Sequence, residues 1–167
     1  MTMNIGILTI SDRGARGEYE DRSGPLIAEI LHTHTPWPIT HQAVIPDDFA
    51  TIVETLTRWC NEGVNLLLTS GGTGFAPRDV TPEATKRVIE RETPGIVEAL
   101  RAESLQITRH AMLSRAVAGI RGQTLIINLP GSPKAARENL EVLLPVLPHA
   151  LELLTDAPGT ESSHRLV

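Results

Sequence analysis

The sequence predicts an α/β fold of three layers, in which helices cover both faces of a mostly parallel sheet. Apolar runs that are typical of buried strands alternate along the chain with segments whose apolar residues recur at helical spacing. Polar or glycine-containing turns follow several of these runs directly. Strands that alternate with helices form parallel sheets, and such sheets bind ligands beyond the carboxyl ends of their strands.

Composition indicates a single domain with one core. The chain has 167 residues, of which 41% are hydrophobic, and we assign residues 1–155 to the domain and residues 156–167 to a polar C-terminal tail. A formal charge of -5 and an aromatic content of 3% do not suit nucleic-acid binding. A single cysteine and the lack of an apolar run long enough to cross a bilayer predict a cytoplasmic protein without membrane contact.

The first part of the chain predicts two units of strand and helix. Residues 4–10 are expected to form a buried strand, and a helix that starts at Pro25 ends before Pro36. Residues 39–45 predict a second strand, and we place Asp47 at the N-cap of the helix that follows. The apolar stripe of that helix consists of Phe49, Ile52, Val53, Leu56, Trp59 and Cys60.

A third strand and its helix follow. Residues 65–69 predict a buried strand that runs directly into a glycine-rich loop. Thr81, Pro82 and Glu83 are typical of an N-cap, a first helical position and an acidic first turn. We therefore expect a helix from this point to about residue 91.

The last part of the chain predicts one more strand among helices. A helix is expected after Gly95, and residues 124–128 predict a short strand. Ser132 is expected to cap the helix that comes next. Pro145 and Pro148 should interrupt the final helical stretch, because proline lacks the amide that a helix interior requires.

Four loops are expected at the ligand edge of the sheet: residues 11–24, 46–48, 70–79 and 130–134. The most informative is the loop from Ser70 to Gly74, in which three of the last four residues are glycine. Glycine lets consecutive amides converge on an anion, and hydroxyls add donors. The loop lacks the Gly-Lys-Ser/Thr of a Walker A motif, and Pro77 obstructs a dinucleotide fingerprint that would start at Gly72.

Asp47 and Asp79 each lie between a strand and a helix, so both are expected at the ligand edge. A carboxylate in this position can hold Mg²⁺ between phosphate oxygens, or it can cap its helix. The pattern leaves both roles open for either residue alone. Because a glycine loop lies at the same edge, the pair favours a metal and phosphate site.

Other charged and polar residues have two interpretations. Ser114, Arg115 and Lys134 could contact phosphate, or the charged side chains could be ordinary solvated surface. Glu98 could accept hydrogen bonds from a heterocycle, or it could lie on a helix surface. The spacing of the residues does not decide between these roles.

Together these stretches resemble the molybdopterin adenylyltransferase family of molybdenum cofactor biosynthesis, whose domain also occurs in gephyrin-like and plant fusion proteins. The likeness spans nearly the whole chain. Its most specific part is the loop Ser70 to Gly74 continuing into Arg78-Asp79-Val80-Thr81-Pro82. The supporting motifs are Thr9-Ile10-Ser11-Asp12, Ile45-Pro46-Asp47-Asp48, Leu113-Ser114-Arg115 and Asn128-Leu129-Pro130-Gly131-Ser132-Pro133.

The resemblance implies a fold like that of the molybdenum cofactor biosynthesis proteins and a reaction in which Mg-ATP and molybdopterin give adenylylated molybdopterin and pyrophosphate. It implies catalytic roles for Asp47, Asp79 and Ser114, with Mg²⁺ held by both aspartates. The residues that it implies for molybdopterin or phosphate binding are Ser11, Asp12, Ser70, Gly71, Gly72, Thr73, Gly74, Glu98 and Arg115. The nucleotide loop that it implies consists of Pro130, Gly131, Ser132 and Pro133.

The resemblance also implies partners and an alternative function. Members of the family are trimers or hexamers, so we expect a homotrimer or a hexamer, and a molybdenum insertase is an expected partner. The chain ends soon after its last predicted helix, from which we expect a single-domain protein rather than a fusion. The alternative is a molybdopterin-binding carrier without catalysis, or an oligomeric scaffold of the same fold.

Overall fold

A six-stranded sheet forms the centre of the protein in a computed structural model that describes residues 2–155. The strands are β1 (Ile5–Ile10), β2 (Ile39–Ile45), β3 (Leu66–Ser70), β4 (Arg91–Glu92), β5 (Ala118–Arg121) and β6 (Thr124–Leu129). The helices are α1 (Asp12–Ala15), α2 (Ser23–His34), α3 (Phe49–Asn61), α4 (Thr81–Val88), α5 (Pro94–Ile107), α6 (Pro133–Leu143) and α7 (Leu147–Thr155). A 3₁₀ turn at Arg109–Leu113 follows α5.

The strand order in the sheet is β2-β1-β3-β6-β5-β4. The four strands from β2 to β6 in this order are parallel, whereas β5 is antiparallel to both of its neighbours. From β1 the chain first crosses to β2 on one side and then returns to β3 on the other side. The carboxyl ends of β1 and β3 therefore flank a point where the strand order reverses, which is where parallel sheets bind ligands.

Side chains of the central strands alternate between two cores, one on each face of the sheet. In β3, Leu66 and Leu68 join the core beneath α2, α5, α6 and α7, whereas Leu67 joins the core beneath α3 and α4. Ile126 and Ile127 of β6 divide in the same way. Since helices cover both faces, the predicted class of a three-layer, mostly parallel α/β fold is confirmed.

One predicted helix cap is wrong in a way that matters for the site. Asp48, not Asp47, is the N-cap of α3, and its carboxylate accepts a hydrogen bond from the Thr51 amide at 2.9 Å. Hydrogen bonds from Thr51 also lower the pKa of the Asp48 carboxyl. Because Asp48 caps the helix, the carboxylate of Asp47 is free of that task.

The start of α4 also differs from the prediction. Val80 occupies the N-cap without a side-chain hydrogen bond, and Thr81 is already the first helical residue. The Thr81 hydroxyl is buried and has no hydrogen-bond partner within the part of the chain that the structure describes. The helix ends at Val88, earlier than expected, and the acidic first turn at Glu83 is confirmed.

A helix cap and a helix interruption in the last part of the described chain were predicted correctly, because each is marked by a local sequence signal. Ser132 caps α6 by accepting a hydrogen bond from the Ala135 amide at 3.2 Å, as expected. The interruption at Pro145 is also confirmed, because α6 ends at Leu143 and α7 begins at Leu147. Pro148 instead lies in the first turn of α7, where proline is tolerated.

Short elements were not predicted. The strands β4 and β5 contain 2 and 4 residues, and α1 contains 4, which is too short for a periodic pattern. Phe49 of the predicted apolar stripe is 44% exposed, whereas Ile52, Leu56 and Trp59 are buried as expected. The predicted tail, residues 156–167, lies outside the described residues. None of the helices within residues 2–155 is both long and apolar enough to cross a membrane.

Candidate functional site

Two cavities lie on either side of the glycine loop, residues 70–74. The first, which we name the acidic cavity, has a volume of about 260 Å³ and lies at the carboxyl ends of β1 and β3. It brings together residues from all four predicted edge loops. Its lining includes Ser11, Tyr19, Asp21, Arg22, Ser23, Asp47, Ser70, Gly71, Gly72, Asp79, Gly131 and Pro133.

The conformation of the glycine loop is fixed through its carbonyl groups. The Gly72 carbonyl accepts a hydrogen bond from the Thr81 amide at 3.2 Å. The Thr73 carbonyl accepts from the Arg115 amide at 2.9 Å, and the Gly74 carbonyl accepts from Arg115 Nε at 2.7 Å. In a trans peptide the following amide points the opposite way, so the amides of Thr73, Gly74 and Phe75 turn away from these anchors.

These amides can bind an anion. Within residues 2–155, the amides of Thr73, Gly74 and Phe75 donate to no protein acceptor. Consecutive main-chain amides without a protein acceptor can donate to phosphate oxygens. The amide of Gly71, which was also predicted to bind, donates to the Leu129 carbonyl at 3.2 Å and continues the sheet instead.

Position 71 requires glycine for a different reason. Its φ is +105°, and a β-carbon at this position would clash with the carbonyl oxygen of Ile10. Gly131 packs against it, since a β-carbon at position 131 would lie 3.3 Å from the Gly71 α-carbon. These close contacts hold the loops after β1, β3 and β6 together.

The two predicted acidic residues lie beside glycines of the loop. A β-carbon on Gly72 would lie 3.0 Å from Asp47 Oδ1, and a β-carbon on Gly74 would lie 2.9 Å from Asp79 Oδ2. The Asp79 carboxylate also accepts a hydrogen bond from the Ala76 amide at 3.0 Å. A side chain at either position would crowd the carboxylate beside it, and at Gly72 it would also have to adopt a φ of +67°.

Asp47 is held by a reciprocal pair of hydrogen bonds with Asp12. The Asp12 amide donates to Asp47 Oδ2 at 2.9 Å, and the Asp47 amide donates to Asp12 Oδ1 at 3.0 Å. Arg78 closes this arrangement, because its guanidinium donates to both carboxylate oxygens of Asp12 and to the Asp47 carbonyl. Arg78 thus connects the loops that follow β1, β2 and β3.

The electrostatics of the acidic cavity favour a cation. Burial raises the pKa of the Asp47 carboxyl, and the negative charges of Asp12 and Asp79 raise it further, against the lowering effect of the Asp12 hydrogen bond and of Arg78. The Arg78 hydrogen bond lowers the pKa of the Asp12 carboxyl. A divalent cation would relieve the repulsion between Asp47 and Asp79. Two carboxylates are a usual protein contribution to a magnesium site that is completed by phosphate oxygens and water, so these residues fit the metal.

The second cavity, which we name the helical cavity, lies between the glycine loop and helices α5 and α6. Its volume is about 280 Å³, and apolar side chains such as Val97 and Leu100 form part of its wall. Its polar lining includes Thr73, Arg101, Ser104, His110, Ser114, Glu138 and Asn139, and Pro130 also contributes. Ser114 therefore lies beside the loop, in a different cavity from Asp47 and Asp79.

Several other predicted site residues already have protein partners. The Ser70 hydroxyl donates to the Pro130 carbonyl at 2.9 Å, and the Ser11 hydroxyl accepts from the Gly14 amide at 3.1 Å. The Arg115 guanidinium contacts Glu83 and the carbonyls of Gly74 and Asp79. The hydrogen bonds of these side chains to other parts of the protein hold the loops in place. Ligand contacts by Ser11, Asp12, Ser70 and Arg115 stay predictions.

Five predicted residues line neither cavity in the described part of the chain: Asp12, Glu98, Arg115, Ser132 and Lys134. Glu98 is exposed on α5, and Ser132 is occupied as the cap of α6. Lys134 has an 80% exposed side chain that lies 3.8 Å from Glu138. Binding roles for Glu98 and Ser132 stay predictions. The exposure of Lys134 agrees with the interpretation of its side chain as solvated surface.

Sequence reasoning missed two groups of lining residues. Tyr19, Asp21 and Arg22 belong to a loop that was predicted at the ligand edge, but nothing in the sequence indicates which way its side chains point. Asp21 accepts hydrogen bonds from the Thr9 hydroxyl and the Ser23 amide, which fixes the loop beside the cavity. The second group consists of residues on α5 and α6 that line the helical cavity. This cavity forms only when the two helices pack beside the glycine loop.

The chain matches a family model described as "Probable molybdopterin binding domain" over residues 6–149. The chain belongs to the Mog/MoaB family of molybdenum cofactor biosynthesis proteins. The family that the sequence motifs indicated is therefore confirmed. The match includes every loop that lines the two cavities.

Relatives in this family include both short enzymes and larger proteins. Gephyrin of Dictyostelium discoideum is 48% identical over 96% of this chain, which spans only 24% of gephyrin. The molybdopterin adenylyltransferase of Helicobacter pylori is 44% identical over 92% of this chain and 88% of that protein. The crystal structure of the molybdopterin biosynthesis enzyme MoaB from Thermus thermophilus has a TM-score of 0.88 and 51% identity, and the match covers 94% of this chain and 99% of that one.

Proposed function

We propose that this protein is a molybdopterin adenylyltransferase, which transfers AMP from Mg-ATP to the terminal phosphate of molybdopterin. One observation carries the proposal: the same glycine loop borders both cavities. Gly71 and Gly72 lie in the wall of the acidic cavity, and Thr73 and Gly74 lie in the wall of the helical cavity. Two substrates bound in these cavities would meet at the loop. The Helicobacter relative with this name, at 44% identity, supports the same activity.

The reaction requires alignment of two anions more than it requires a strong base. The terminal phosphate of molybdopterin is already ionised, so one of its oxygens can attack the α-phosphorus of ATP directly. A new phosphorus–oxygen bond forms, the bond from the α-phosphorus to the oxygen that bridges to the β-phosphorus breaks, and pyrophosphate leaves with that electron pair. The protein must hold the reacting groups together and counter their repulsion.

We assign the acidic cavity to the nucleotide. Asp47 and Asp79 would hold Mg²⁺, which when bound neutralises charge on the triphosphate. Gly131 and Pro133 of the nucleotide loop that the resemblance implies line this cavity, whereas Pro130 lines the helical cavity and Ser132 caps α6. The contacts of Arg78 with Asp12 and Asp47 hold the acids in place before the nucleotide arrives.

We assign the helical cavity to molybdopterin. The apolar wall at Val97 and Leu100 offers a surface for the flat pterin, and Ser114 lies where the terminal phosphate would approach the loop. The amides of Thr73, Gly74 and Phe75 would donate to phosphate oxygens as negative charge moves during transfer. These donors need no reorganisation, because Arg115 and Thr81 already fix the loop.

We place the reaction in the cytoplasm, which agrees with a single cysteine in the chain. A homotrimer or hexamer is proposed, and exposed apolar side chains at Leu105, Ile107 and Met112 support self-association. A molybdenum insertase is the proposed recipient of the product. Light scattering of the purified protein measures the oligomeric state.

Pyrophosphate release tests the proposed activity. The purified protein is mixed with molybdopterin and Mg-ATP, and pyrophosphate and adenylylated molybdopterin are measured together. We expect equal amounts of both products, and no release after Mg²⁺ is chelated. Tight binding of molybdopterin without any release would instead support the carrier function.

A further inference from the structure

The ring of Tyr19 is the aromatic group in the lining of the acidic cavity, among the residues that the structure describes. It lies in the loop between α1 and α2. Its side chain is 48% exposed. The ring therefore has contact area to offer to a ligand in that cavity.

The position of the ring is defined by its neighbours. The guanidinium carbon of Arg13 lies over the ring, 5.3 Å from its centroid, in a cation–π arrangement. Nearby, Arg16 Nε pairs with Glu18 at 2.8 Å, and the Glu18 amide donates to the Arg13 carbonyl at 2.9 Å. These contacts fold the loop back on α1, so that the ring is presented to the cavity on a supported segment.

We propose that Tyr19 is the stacking platform for the nucleobase of the bound nucleotide. The inference rests on the proposed function, because it takes the acidic cavity as the site of Mg-ATP. The triphosphate would lie beside Asp47, Asp79 and the glycine loop, which are all less exposed than Tyr19. The base is the other end of the nucleotide and reaches outward, toward the ring of Tyr19. Every nucleobase has a face that stacks on an aromatic ring.

The pterin is the other planar group in the reaction, and it has a different place. The apolar walls of α5 and α6 belong to the helical cavity, and Tyr19 does not line that cavity. Arg22 lines the acidic cavity beside Tyr19 and adds positive charge, which suits a nucleotide. Tyr19 is therefore assigned to the base and not to the pterin.

Calorimetry with two ligands separates stacking from phosphate binding. The dissociation constants of Mg-ATP and of Mg-tripolyphosphate, which has no base, are measured for the wild type and for Tyr19→Ala. We expect Tyr19→Ala to weaken Mg-ATP binding by roughly 5- to 150-fold, the usual range for loss of one base–aromatic stack, and to leave tripolyphosphate binding unchanged. Tyr19→Phe keeps the ring and should restore the affinity for ATP. Phe49→Ala is the matched control, because Phe49 is also half-exposed but lines neither cavity.

Other outcomes overturn the inference in distinguishable ways. If Tyr19→Ala weakens the binding of both ligands equally, Tyr19 shapes the phosphate site. If ATP binding is unchanged in Tyr19→Ala, the base does not stack on the ring. Molybdopterin is titrated in the same way, and a loss of affinity in Tyr19→Ala that is confined to this ligand would assign the ring to the pterin. If the wild type binds ATP no more tightly than tripolyphosphate, the base contributes no binding energy. That result would overturn the stacking role but not the proposed adenylyl transfer. Binding of neither ligand would overturn the proposed function as well.

Discussion

Gly72 and Asp47 pack closely: a methyl group at position 72 would lie 3.0 Å from Asp47 Oδ1, so the carboxylate would have to move. The same methyl group would also clash with the Thr81 hydroxyl. Gly72 has a φ of +67°, a conformation that costs other residues about 1–2 kcal/mol. The glycine therefore has both a conformational role and a role in placing a carboxylate.

The first prediction concerns Gly72→Ala. We expect the Asp47 carboxylate to be displaced, and pyrophosphate release to fall by about 100-fold, the typical effect of a misplaced catalytic group. Gly122→Ala is the matched control, because Gly122 also has a positive φ, +53°, but has no neighbour within 4 Å of a β-carbon. Both variants should lose some thermal stability, measured by circular dichroism, and only Gly72→Ala should lose activity. Equal activity losses in the two variants would assign the effect to backbone strain.

The second prediction concerns the anchor of the glycine loop. Arg115→Lys removes the planar guanidinium that contacts Gly74, Asp79 and Glu83, and a lysine amine cannot make these contacts together. We expect weaker binding of phosphate ligands and faster hydrogen exchange at the amides of residues 81 and 115, which donate to the Gly72 and Thr73 carbonyls of the loop. Glu83→Gln is the control, since it weakens the ion pair but keeps the contacts with the main chain. An exchange rate in Arg115→Lys equal to that of the wild type would show that the loop does not depend on this anchor.

The third prediction concerns Arg78, whose guanidinium holds Asp12 and through it Asp47. Removing an outer partner of a metal-ligating group typically costs about 10- to 100-fold in metal affinity or activity. We therefore expect Arg78→Gln to raise the Mg²⁺ concentration that half-saturates the enzyme by a factor in that range. Arg58→Gln serves as the control, because Arg58 is an exposed arginine that pairs with Glu62 and lines neither of the two cavities. The idea is wrong if both variants respond to Mg²⁺ like the wild type.

The sequence predicted the ligand edge of the fold because this edge follows from a general rule. The carboxyl ends of parallel strands meet at one side of a sheet, so the loops after β1, β2, β3 and β6 had to lie together. The fold brings Asp47 and Asp79 into one cavity for this reason. The choice between Asp47 and Asp48 as the helix cap could not be made, because either aspartate satisfies the pattern and the fit of the loop decides.

The helical cavity could not be predicted, because no local signal marks it. Val97 and Leu100 follow an ordinary helical pattern, and Glu138 and Asn139 lie on a different helix. The cavity exists only where α5 and α6 pack beside the glycine loop. The antiparallel strands β4 and β5 were missed because 2 and 4 residues do not establish an alternation.

The central claim is that Asp47 and Asp79 act together with the glycine loop in adenylyl transfer, and Asp79→Asn tests it most directly. Asn can still accept the hydrogen bond from the Ala76 amide, so the variant should fold like the wild type. Asp48→Asn is the matched control, because Asn is also a good N-cap and Asp48 lines neither cavity.

Pyrophosphate release from Mg-ATP and molybdopterin is measured for the wild type and for both variants. We expect release to fall at least about 100-fold in Asp79→Asn, the scale on which charge-stabilising groups act, and to persist in Asp48→Asn. Undiminished release by a folded Asp79→Asn protein would contradict the account.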